Sequence, residues 1–205
     1  MLRAGIGGVR RMVEGAVRRR ASSYSHEPPL GWGKSLYAEG VAVDTLDGMH
    51  LPMYYLTGKV LLTTTFALHS KVRANDGVVE KAAASHIPEL EAMWQELRSK
   101  GLFVLASPVE GVDGSEELDR EALREEVHNM GVTLPLTEVA DIGEKPSSIY
   151  RFVARELKEK PELIPAGVFH RVLFSRRGKL VGSFDASVPT SDVLKHVIAE
   201  LNTTK

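Results

Sequence analysis

Apolar residues recur along this chain at two periods, and each change of period marks a new element. The run GKVLLTTTFAL (58–68) is dense in Val, Leu and Thr over one strand length and starts at Gly58, which predicts a central buried strand. LFVLASP (102–108) predicts a second buried strand, stopped by Pro108. From Glu80 to Lys100 the spacing turns helical. Leu90, Met93, Trp94 and Leu97 form the inward face, Glu91, Gln95, Glu96 and Arg98 form the exposed face, and Gly101 ends the helix. VAVDTLDGMHLPM (41–53) reads as a strand, a turn at Asp47-Gly48 and a short return strand. SEELDREALREEVHNMG (115–131) predicts a helix with acids at its positive end after Ser115 and Gly131 as its stop. A further helix covers 147–158, followed by a loop with Pro161 and Pro165. VFHRVLFSRRGKLVGSF (168–184) predicts a hairpin with a solvated tip at Arg176-Arg177-Gly178-Lys179. SDVLKHVIAELN (191–202) closes the chain as a helix capped by Ser191, with Val193, Leu194, Val197, Ile198 and Leu201 facing inward. Together these elements make an α/β sandwich in which helices flank a mixed central sheet.

The N-terminus departs from this pattern. Residues 1–20 hold six arginines, no lysine and a single acid, Glu14. Arginines separated by apolar residues, followed by ASSYS, have the composition of a mitochondrial transit peptide. We therefore expect a leader over 1–22, cleaved between Arg20 and Ser25, a linker over 23–34, and the folded domain over 35–205. A basic arm that stays attached and meets nucleic acid or lipid headgroups is the alternative. Without residues 1–20 the chain keeps 20 basic and 26 acidic residues, a net charge near −6. That balance lacks the basic footprint of direct nucleic-acid binding. GWGKS (31–35) has Pro28 where a phosphate-binding loop needs its first glycine, and no strand precedes it, so that motif is rejected.

Candidate chemistry is sparse. The 205 residues, 43% hydrophobic, include no cysteine, which removes disulfides, thiolate metal sites and cysteine nucleophiles. No apolar run approaches the ~18 residues of a membrane span. Seven histidines (His26, His50, His69, His86, His128, His170, His196) are scattered without metal-ligand spacing, so no metal or cofactor is expected; His170 and His196 read as ordinary strand and helix residues. His69 adjoins Ser70, but with no acid or oxyanion donor in view the pair makes no hydrolytic nucleophile. Trp94 is assigned to the core.

Five pieces, in order and spacing, carry a family resemblance. They are SLYAEGVAVDTLDGMHLPMYYLTGKVLL, LEAMWQELRSKGLFVLASP, GSEELDREAL, LPLTEVADIGEKPSSIYRFV and VFHRVLFSRRGKLVGSFDASVPTSDVLKHVIAEL. Over roughly residues 35–201 the chain resembles the glutathione peroxidases, which implies a thioredoxin-like fold; the terminal strand–strand–helix unit fits that fold. The resemblance puts Ser70 where the family has its peroxidatic cysteine or selenocysteine, Gly111 where it has a glutamine, and Gly167 and Val168 where it has a tryptophan-asparagine pair. A serine hydroxyl has no accessible thiolate or sulfenic state, so this tetrad cannot run the family's redox cycle. The segment after Ser70, 71–86, is longer than the usual peroxidase connection. The resemblance implies a pseudoenzyme without catalytic or cofactor-binding residues. It would act as a structural or accessory subunit of a mitochondrial assembly in or facing the matrix: a respiratory complex, an ATP synthase or a mitoribosome. Its partners would be other protein subunits, with any peripheral membrane association made through them. The competing expectations are a peroxidase-family member with residual, thiol-independent or altered activity in the oxidative-stress response, and a module that binds a small thiol or lipid in the old pocket.

Overall fold

A computed structural model describes residues 35–67, 72–74, 77–79, 83–109 and 120–203; the expected leader, the linker, Ser70, Gly111 and Ser115 lie outside the described residues. In chain order the strands are β1 (Ala42–Asp44), β2 (His50–Pro52), β3 (Val60–Phe66), β4 (Val72–Ala74), β5 (Gly77–Val79), β6 (Leu102–Pro108), β7 (Arg171–Phe174) and β8 (Leu180–Phe184). The helices are α1 (Ala83–Leu97), α2 (Arg120–Asn129), α3 (Ser148–Glu156) and α4 (Thr190–Asn202).

The continuous apolar runs become the centre of a four-stranded sheet, ordered β6-β3-β7-β8. Every residue of β3 and β6 is buried, as strands covered on both faces require. The two run parallel, with Val60 beside Leu102 and Phe66 beside Pro108, while β7 and β8 are antiparallel additions. Register sorts the faces. Leu61 lies opposite both Phe103 and Phe174, so these three share one face, and Phe152 of α3 packs on Phe174 at 6.1 Å between ring centroids. The opposite face carries Leu62, Val104 and Leu173, and there α1 packs on β6, α4 on β3, and the two helices on each other. β1 and β2 form a separate hairpin around the expected turn, with Gly48 at φ 78°.

Four local expectations need correction. Segment 71–86 is more than an extended loop: β4 and β5 pair antiparallel within it, and α1 has begun by Ala83, so His86 is a buried helical residue. α4 starts at Thr190 with Pro189 at its N-cap, not Ser191, and Ile198 is 42% exposed rather than inward. The Arg176–Lys179 turn is not a free solvated tip. Gly178, at φ 72°, lies so close to Ser35 and Tyr37 that a Cβ there would meet each at 2.7 Å. Ser35 donates its hydroxyl to the Arg177 carbonyl, and Arg176 donates to the carbonyls of Gly58, Lys100 and Leu201, tying together three chain segments.

The fourth correction concerns Glu91. Helical spacing put it on the solvent face, yet its carboxylate accepts from the backbone N–H groups of Thr133 (2.9 Å) and Leu134 (2.8 Å), from the Thr133 hydroxyl and from Gln95. This anchors the segment that covers the outer edge of β6, where Ala106 donates to Pro135 O and accepts from Thr137 N. Glu91→Ala is expected to cost about 1–3 kcal/mol, because two partly buried N–H groups lose their acceptor. Glu91→Gln, which keeps one amide oxygen, should cost about half of that. Urea denaturation midpoints of the three proteins check the order.

Candidate functional site

The site is where the parallel strands stop. Beyond β3 and β6 the chain is held by four backbone bonds: Val109 N–H donates to Phe66 O (2.9 Å), Ala140 N–H to Pro108 O (2.7 Å), Phe169 N–H to Thr65 O (2.8 Å), and Thr65 N–H to His170 O (3.0 Å). The Thr65 side chain adds two more, donating to Gly167 O at 2.7 Å and accepting from His170 N–H at 3.0 Å. A threonine in the last turn of a buried strand thus fixes the 167–170 segment at its end. Nothing in the alternation of apolar residues distinguishes Thr65 from its neighbours Thr63 and Thr64.

Of the four sequence-predicted positions, the structure places two. Gly167 lies at the C-terminal end of β3, its carbonyl accepting from the Thr65 hydroxyl, and Val168 follows it, next to Phe169 whose N–H donates to Thr65 O. Ser70 and Gly111, three residues past Ala67 and two past Val109, are outside the described residues. Around this end Ala67, Val109, Val168 and Phe169 are all buried, Phe169 to 1% exposure. The His86 ring stacks on Phe169 at 4.5 Å between centroids and 24° between planes. Phe169 holds φ at 58°, a left-handed conformation that costs a non-glycine residue on the order of 1 kcal/mol or more. Burial of its ring and the two flanking bonds to Thr65 compensate that strain.

Two polar arrangements beneath this end were not foreseen. His170, read from sequence as an ordinary strand residue, is buried with Nε2 2.7 Å from Ser183 Oγ, while the Ser183 hydroxyl donates to Leu163 O at 2.6 Å. Because the serine proton is committed to the carbonyl, Nε2 must carry the hydrogen and donate, which fixes the neutral tautomer. Burial pushes the His170 pKa down to about 4; Asp185 pulls the other way and Arg171 adds to the depression. The second arrangement is Tyr150 of α3. Burial pushes its hydroxyl up to about 12, against the pull of neighbouring Ser107 and Thr63, so it stays a neutral phenol. Among the described residues no group of three or more His, Cys, Asp or Glu could hold a metal ion, and no helix is long and apolar enough to cross a membrane.

His170 gives a pH dependence with a definite sign. Its folded-state pKa lies below the ordinary 6.5, so between pH 6.5 and 4 the unfolded chain binds the proton first. The contribution is complete above about pH 6.5, falls as pH drops, and levels below about 4, with a total loss on the order of 3 kcal/mol. His170→Gln, which keeps a donor for Ser183, should flatten this part of the profile when urea midpoints at pH 7 and pH 4.5 are compared.

A mixed sheet of this order, with helices on both faces and a terminal hairpin and helix, defines a thioredoxin-like α/β fold. Solved structures agree. The crystal structure of Trgpx in apo form matches at a TM-score of 0.57 and 17% identity, over 82% of this chain and 96% of that one. T. cruzi GPX1 matches at 0.57 and 16%, over 82% and 96%. A thioredoxin-family thiol:disulfide interchange protein from Chlorobium tepidum matches at 0.57 and 15%, over 78% and 92%. In sequence, the chain is 23% identical over 168 residues to the glutathione peroxidase-like peroxiredoxin GPX5 of Chlamydomonas reinhardtii, spanning 80% of this chain and 95% of that protein. No protein-family model matches. The resemblance to the glutathione peroxidases therefore holds in sequence and in fold.

Proposed function

We propose that this protein is a non-catalytic relative of the glutathione peroxidases that serves as a structural or accessory subunit of a mitochondrial assembly. The first half is supported by the absence of any cysteine, together with the residues that the resemblance matches to the family's tetrad. The chain has no cysteine to form a thiolate. At β3 the segment matched to the family's tryptophan-asparagine pair is Gly167-Val168, with Val168 and the following Phe169 buried. Ser70 and Gly111 occupy the other two matched positions. The mitochondrial half is supported by the six arginines and single acid of residues 1–20.

Native electrophoresis of mitochondrial extract, with the protein followed by antibody, tests the subunit role. The protein is expected to migrate within a complex; migration as a free polypeptide of at most 22.5 kDa overturns that role. Peroxide reduction with glutathione or thioredoxin as donor tests the loss of chemistry. Turnover above a heat-denatured control would favour the residual-activity alternative and overturn this reading.

A further inference from the structure

The end of the sheet opposite the candidate site collects positive charge. β3 and β6 run parallel, so Lys59 and Lys100, just ahead of them in the chain, stand at the same end. β7 runs against β3, which brings the 175–179 turn there too, with Arg177 and Lys179. Arg98 joins them, its guanidinium 5.3 Å from the Trp94 ring centroid. Lys59 is half-buried and the other four are exposed. Among the described residues none of these cations makes an ion pair. Glu39 is already paired with Arg155, and Glu96 and Glu200, in the last turns of α1 and α4, leave the excess positive. The same end shows two aromatic rings. Tyr54 and Tyr55, on the turn Met53–Leu56 that leads into β3, are 49% and 43% exposed, with ring centroids 4.4 Å apart.

We propose that this end binds the surface of an anionic lipid bilayer directly, without a partner subunit as intermediary. Two observations select that occupant. The first is the kind and spread of the cations, which sit on separate turns and include Lys59, Lys100 and Lys179. Recognition of a single carboxylate or phosphate favours the arginine fork, and lysine is depleted in protein–protein interfaces. Point charges spread over one end match the diffuse negative field of a headgroup layer instead. The second is the tyrosine pair. A phenol has an apolar body and a polar tip, which suits the level of the headgroups. The two rings also lie against each other, which leaves less open face for the base stacking that nucleic-acid binders use. A bilayer meets only this end, so acids elsewhere on the chain are screened beyond a Debye length of about 10 Å at ~0.1 M salt. A contact made of surface charge and two rings is reversible and weakens with salt.

Cosedimentation with vesicles of phosphatidylcholine, alone or with about a third phosphatidylglycerol, tests this at ~0.1 M salt. The full chain is used beside a full-length form in which the six arginines of residues 1–20 are changed to glutamine, so that their charge does not enter the reading. Both should bind the anionic vesicles at least about tenfold more than the neutral ones, and leave them at ~1 M salt, where the Debye length is about 3 Å. In the glutamine form, Lys59→Glu/Lys100→Glu/Lys179→Glu should cut partitioning about a hundredfold, since each lysine near such a surface contributes about fivefold. Tyr54→Ser/Tyr55→Ser should cut it several-fold and leave the salt dependence in place. Urea midpoints check that the variants fold, and Arg98→Glu/Arg177→Glu supplies an independent charge arm. Equal binding to both vesicles, binding lost with the six arginines, or binding indifferent to both charge reversals overturns the proposal. A single-stranded RNA oligonucleotide that displaces the vesicles, and whose own binding is lost in the tyrosine variant, overturns it in favour of a nucleic acid.

Discussion

Arg171→Ala is expected to lower the thermal midpoint by about 10 °C. Arg171 opens β7 with 1% exposure, on the sheet face covered by α1 and α4. One terminal nitrogen donates to the carbonyls of Asp185 and Val188, both at 2.6 Å, and the other reaches the Thr190 hydroxyl at 3.5 Å. The guanidinium thus holds the 185–188 turn that leads into α4. Burial lowers its pKa, opposed by Asp185 and Glu89, and an arginine so placed stays charged. Truncation removes the side-chain volume, strands two carbonyls and leaves those carboxylates without their cation. Together this is worth about 3–5 kcal/mol, and in a domain of this size each kcal/mol moves the midpoint by about 2–4 °C. Arg171→Met keeps the volume and removes the desolvated charge, so it should lose less than half as much. A calorimetric change under about 2 °C for the alanine variant would show that the turn holds without its clamp.

Arg171 also shows where sequence stops being legible. β3, β6 and the helical faces around Trp94 and Val193 follow from periodicity, because burial of apolar side chains selects one face at one period. Arg171 breaks that rule: in VFHRVLF an arginine at strand spacing reads as solvent-facing, and only the carbonyls of a turn fourteen to seventeen residues later make its burial tolerable. Glu91 and Arg176 fail for the same reason, since each is polar at a surface position but serves backbone groups far away in sequence. Ile198 errs the other way, an apolar residue one step beyond the buried stripe of α4. The site is legible only through the order of the five family-like pieces. Gly167 and Val168 carry no signal of their own. The stacking of His86 on Phe169 and the left-handed backbone of Phe169 depend on tertiary placement.

Restoring the thiol alone should not restore a peroxidase. The chain has no cysteine, so a Ser70→Cys variant carries a single thiol whose titration is read without ambiguity from thiolate absorbance. Activated thiols owe their low pKa and reactivity to nearby donors and cations, and without them a cysteine titrates near 8.5, a few per cent ionised at pH 7. On the proposed loss of chemistry, the matched positions supply no such group: Gly111 and Gly167 have no side chain and Val168 has no polar atom. The Ser70→Cys thiol is therefore expected to titrate near ~8.5 and to react with hydrogen peroxide no faster than an ordinary exposed thiol. Adding Gly111→Gln and Val168→Asn returns two polar groups at the matched positions. This should lower the thiol pKa and raise the rate, by up to the ~10²-fold at the lower end of what positioned proton-transfer groups contribute. A Ser70→Cys thiol that already titrates below ~7, or one that turns over with glutathione, would mean that activating groups survive elsewhere in the chain and that the loss of function is confined to one atom.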